Sequence, residues 1–67
     1  MEEIIFLVKE SEEGGYEAQA LGESIFTEAE SLDELKLNIK DAIQCHFDEH
    51  KPRLVRLHMV KEYVFAA

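Results

Sequence analysis

Residues His46-Phe47-Asp48-Glu49-His50 follow the pattern H-x-x-E-H. Two imidazoles four positions apart share one face of a helix. They can then hold one zinc ion, with Glu49 as the base that activates a bound water. That chemistry requires both histidines on one helix, a third protein ligand and a substrate cleft. The pattern falls where the sequence is about to end a helix, and Pro52 follows shortly. The plainer reading gives His46 the last place on an apolar helix stripe and makes His50 a C-terminal cap that favours the negative helix end. We therefore expect no catalytic residue, no metal ligand and no cofactor. A small metal-binding protein or zinc enzyme built on His46, Glu49 and His50 is the alternative.

Cys45 and His46 are adjacent, so on a helix their side chains diverge by about 100° and do not form a Cys–His pair. Cys45 is expected to be a lateral, partly buried residue. Glu10, Glu12 and Glu13 cluster in one loop. Carboxylates in pairs can serve acid–base or Mg²⁺ chemistry, but a solvated acidic loop explains them as well. Glu28 and Glu30 flank Ala29 and would keep a sheet edge soluble. Lys51, Arg53, Arg56 and Lys61 make the only basic patch, with His58 on the Arg56 side of its strand. Ionic pairing within or between chains is the favoured role for them. There is no glycine-rich phosphate loop, nucleophile elbow or aromatic-plus-basic stripe.

The elements that must position these residues follow from periodicity. Ile4 to Val8 is an apolar run flanked by charges, predicting a strand over Glu3–Lys9. Both its faces are apolar, as in a central strand. Glu10 to Gly15 reads as a hairpin loop, with paired glycines for positive φ. Tyr16–Leu21 returns antiparallel, Gly22 punctuates, and Ser24–Ala29 is a third strand. Ser31-Leu32-Asp33-Glu34 fits a capping box. Leu32, Leu35, Ile39, Ala42, Ile43, His46 and Phe47 then share one helical stripe, predicting a helix to about Asp48 or Glu49. Leu37 points away from it. Leu54–Val60 is a fourth strand that can continue to Phe65. The expected class is α+β, a three-stranded antiparallel meander, one helix and a fourth strand (β-β-β-α-β), in a single domain over residues 1–67.

With 67 residues, such a domain has no room for a dinucleotide fold, a kinase or a barrel. It buries only roughly 60% of the surface its unfolded chain exposes. One helix covers one sheet face, so a homodimer or higher homo-oligomer is expected to cover or join what is left. Apolar residues are 46% and charged residues 33%, which excludes a disordered chain. The net charge is −8 and uneven: residues 1–34 hold eleven carboxylates and one lysine, residues 35–67 six cations and four carboxylates. An acidic front half repels phosphate backbones, so direct nucleic-acid binding is not expected. A single cysteine excludes an internal disulfide. The acidic start lacks the charge of a signal peptide, and no run is long enough to span a membrane, so a cytoplasmic location is expected.

Gly14-Gly15-Tyr16 at the hairpin, Gly22 at the next turn, and Ser31-Leu32-Asp33-Glu34 with Leu35, Ile39, Ala42 and Ile43 in the helix form a set. Over about residues 4–47 this set resembles the HicB-like antitoxin N-terminal domain, in the manner of small stand-alone prokaryotic members. The resemblance implies a truncated ribonuclease-H-like fold without nuclease residues. It also implies a non-catalytic module that binds and neutralises a small, basic, RNA-cleaving toxin, or a related regulator. The chain stops after the fourth strand without the family's DNA-binding module, so operator binding is not expected of it. Leu35 stands where many relatives have alanine, and the cysteine–histidine run after Ile43 is no general family feature. An orphan homo-oligomer without a toxin is the further alternative.

Overall fold

A computed structural model describes residues 2–67. The elements are β1 (Glu3–Glu10), β2 (Tyr16–Ala20), β3 (Phe26–Ala29), α1 (Leu32–His46) and β4 (Leu54–Val60). They form a four-stranded mixed sheet in the order β3-β2-β1-β4. The first three strands are an antiparallel meander, and β4 lies parallel to β1. The class is α+β, with β1 central, as its two apolar faces require.

The register sorts the side chains. Phe6 pairs with Ala20 and with Leu57, and Val8 with Ala18 and Met59. These residues therefore share the face that α1 covers. Phe6, Val8, Ala18, Leu35 and Ile39 are essentially sealed from water, and Ile4, Ala20, Ile25 and Ile43 complete the core. Leu35, Ile39 and Ile43 are the buried residues of α1, the spacing a helix needs to lay one stripe on a sheet. Leu37 is 62% exposed on its far side.

The hairpin after β1 closes through Gly14 N–H to the Ser11 carbonyl and Ser11 N–H to the Gly15 carbonyl, both 3.0 Å. Gly15 has φ +88°, and an added Cβ would meet the Ala29 carbonyl oxygen at 2.7 Å. Glycine is required there on both counts. The third strand begins at Phe26 rather than Ser24. Ile25 reaches the core from the preceding turn, where its carbonyl accepts from Ala20 N–H at 3.0 Å.

Ser31 caps α1 as expected, its hydroxyl accepting from Glu34 N–H at 3.1 Å. Among the described residues the Ser31 N–H does not donate to the Glu34 carboxylate, so half of the capping box forms. The helix ends earlier than its sequence pattern suggests. His46 is its last residue, and Phe47 leaves it in extended conformation while its N–H still reaches the Ile43 carbonyl. Phe47 packs against the core. Holding that ring down takes the chain off the helical path before Asp48. β4 ends at Val60, and 61–67 form no regular structure. Strand pairing with β1 stops there because Lys9↔Val60 is the last paired position.

Candidate functional site

The early end of α1 takes apart the H-x-x-E-H pattern. His46 closes the helix, whereas Glu49 and His50 lie beyond it, and His50 has a positive φ of 56°. The two imidazoles do not share a helix face. Among the described residues no group of three His, Cys, Asp or Glu side chains is placed to hold a metal ion. His46 does not bury itself on the stripe either. It is exposed, and its Nε2 lies 3.1 Å from Glu23 Oε2. His50 does not cap the helix, since Phe47 occupies that position. Cys45 is exposed rather than partly buried, because it falls on the solvent side of the last turn.

Of the basic patch, Arg56 alone reaches a carboxylate among the described residues. Its Nη2 donates to Glu3 Oε2 at 3.0 Å and its Nε to both oxygens at 3.3 Å. The hydrogen bond and then the charge of Glu3 hold this guanidinium above its ordinary pKa. A raised cationic group adds stability that is lost only as pH rises through its folded pKa. A guanidinium ordinarily titrates far above neutral and Glu3 raises it further, so this pair brings no pH dependence from arginine in the ordinary range. Lys51 donates to the Gln44 side chain instead of to an acid.

The arrangement with most chemical content is the sheet face that α1 leaves uncovered. Across it the register builds rows of side chains. One row is Phe26–Gln19–Leu7–His58, and the next is Glu28–Glu17–Lys9–Val60. Phe26 is 58% exposed, Leu21 51% and Val60 46%. A shallow groove of ≈ 500 Å³ runs among Leu7, Gln19, Leu21, Phe26 and Val60. At one side of the groove Glu17 and Glu28 stand directly opposite each other on neighbouring strands. Like charges so placed are destabilising, and among the described residues neither has a cation within ion-pair distance. Around the hairpin and helix start, Glu13, Glu28, Glu30 and Glu34 line a second hollow of ≈ 630 Å³. The molecule therefore presents an apolar sheet face with an acidic corner. Glu12 and Glu13 sit exposed at the turn beside it, whereas Glu10 is the last residue of β1, paired with Tyr16, so the loop begins at Ser11 rather than at Glu10. Alternation along the strands held part of this face in the sequence, but its acidic corner depends on which strands become neighbours.

A UPF0150 protein of Thermotoga maritima is 45% identical to this chain over 64 residues, which is 96% of this chain and 91% of that protein. The chain belongs to the UPF0150 family. A second UPF0150 protein, from Archaeoglobus fulgidus, is 58% identical over 52 residues, 76% of this chain and 77% of its own. No family model matches the UPF0150 chain, and no solved structure matches it. No helix among the described residues is long and apolar enough to cross a membrane.

Proposed function

We propose that this UPF0150 chain is a non-catalytic protein-binding module of the HicB antitoxin type. It acts by binding a small, basic, RNA-cleaving toxin and blocking its RNA-binding surface. The observation that carries the reading is the opposed pair Glu17 and Glu28 beside the exposed Phe26. The two carboxylates face each other with Lys9 as the one cation in their row, and a cationic partner would add the counter-charge that the row lacks. The groove beside them adds apolar contact from Leu21 and Phe26, and the carboxylates compete with RNA phosphates for the same cationic surface. The resemblance noted in Gly14-Gly15-Tyr16 and Ser31-Leu32-Asp33-Glu34 supports the same reading. So does the element order β-β-β-α-β, which is the order expected of a truncated ribonuclease-H-like sheet.

The test is native mass spectrometry of the protein purified from its own cells, under gentle and chelator-free conditions. The expected result is a complex with a small basic chain that cleaves RNA once released. Glu17→Lys with Glu28→Lys should then dissociate the complex and restore RNA cleavage while the fold is kept. Recovery of copies of this chain alone, in growing and in starved cells, overturns the reading.

A further inference from the structure

We propose that β4 is a self-complementary seam through which two copies of this chain join their sheets into one. Both copies would pair antiparallel about a two-fold axis at Leu57. The inference does not rest on the toxin-binding reading, whose carboxylates Glu17 and Glu28 lie on β2 and β3, away from β4; Val60 alone belongs both to the groove and to the seam.

The two sheet edges are unlike. β3 has four residues, and Glu28 within it protects it from pairing. β4 has seven residues and one formal charge, Arg56, which Glu3 already neutralises. Its backbone is bonded to β1 on one side and faces solvent on the other. A long, apolar, unprotected edge strand is a pairing site. α1 does not cover it: Val55 is 40% exposed and Met59 48%, although both point to the helix side of the sheet.

The sequence of β4, Leu54-Val-Arg-Leu-His-Met-Val60, is nearly a palindrome of character about Leu57. Antiparallel pairing on that axis sets Val55 against Met59 and Leu57 against Leu57 on the helix side. On the open side it sets Leu54 against Val60 and Arg56 against His58. Each apolar residue meets an apolar one. Centring the pair on Arg56 would bring two guanidinium groups together, and centring it on His58 would put Lys61 against Val55. The register is therefore specified by the side chains.

The surface area agrees with a missing copy. The chain exposes 5449 Å², whereas a compact monomer of its 7.7 kDa exposes roughly 4,300 Å². The excess, roughly 1,100 Å², exceeds the ~800 Å² each partner buries in a standard interface. The radius of gyration, 13.1 Å, also exceeds the ~11 Å of a compact chain of this length. Much of the excess lies in residues 61–67, with Tyr63, Val64 and Phe65 at 82, 85 and 88% exposure. In the antiparallel pair each such segment passes the residues that precede β4 in the second copy. These three side chains then have a surface to lie on.

The test is sedimentation equilibrium of the purified full chain, with charge-swapped variants. The wild type should sediment at the mass of two chains. Val55→Lys with Met59→Lys should be a folded monomer, because both positions are already exposed, and so should Val55→Glu with Met59→Glu. Mixing the two variants should restore the dimer, since each lysine then faces a glutamate. In a Cys45→Ser background, Leu57→Cys should form an intermolecular disulfide on mild oxidation. Directly paired Cα atoms lie about 4.5–5.5 Å apart, within disulfide reach. A monomeric wild type overturns the proposal, as does a dimer that survives the paired lysines or leaves Leu57→Cys unlinked.

Discussion

The strongest signals in this chain belong to single residues whose backbone geometry leaves few alternatives. Ser31 is one. Its hydroxyl satisfies the Glu34 amide, so Ser31→Ala should lower stability by about 1 kcal/mol in urea unfolding. Gly15 is another, because its left-handed φ coincides with close approach to the Ala29 carbonyl. Gly15→Ala should cost about 1–3 kcal/mol. Gly14→Ala should cost less, since nothing lies within 4 Å of the added carbon. His46, Glu49 and His50 teach the opposite lesson. Their spacing holds only while a helix continues through all of them, and α1 stops at His46. Stoichiometric zinc should leave the thermal midpoint unchanged, and a rise of several degrees would refute the geometry described for this segment.

Among the elements, α1 shows how far periodicity carries. The stripe of Leu35, Ile39 and Ile43 was legible in the sequence, and these are the residues it buries. Leu35→Ala should cost about 2–5 kcal/mol, out of a total of roughly 3–10 kcal/mol for a domain of this length. Leu37→Ala, on the exposed side, should change stability by less than about 0.5 kcal/mol. A loss at Leu37 as large as that at Leu35 would contradict the placement of the helix. The helix end was not legible, because the anchoring of Phe47 against the core is a tertiary contact. The start of β3 was misplaced for the same reason: Ile25 is buried from a turn rather than from a strand. The four strands themselves were visible as apolar runs bounded by glycines and charges.

At the scale of the whole molecule, charge and uncovered surface dominate. The chain carries −8, with Glu17 and Glu28 opposed on an exposed face. Glu28→Gln should therefore raise the stability of the isolated chain by a few tenths of a kcal/mol. Added salt should produce a gain in the same direction by screening. The same substitution should weaken binding of a basic partner, so stability and binding are expected to move in opposite directions. If two copies pair through β4, the thermal midpoint should rise with protein concentration. A midpoint independent of concentration across a hundredfold range would speak against pairing.

The sequence by itself determined the α+β class, the antiparallel meander, the core stripe of the helix and the cap that starts it. These depend on local periodicity and on residues with narrow backbone preferences, such as Gly15 and Ser31. Only the tertiary structure decided that β4 lies parallel beside β1 at a sheet edge. It also decided that Glu17 faces Glu28, and that the histidine pattern comes apart at Phe47. Each of those is a relation between segments distant along the chain, and strand order and core anchoring set it rather than any residue's own neighbours.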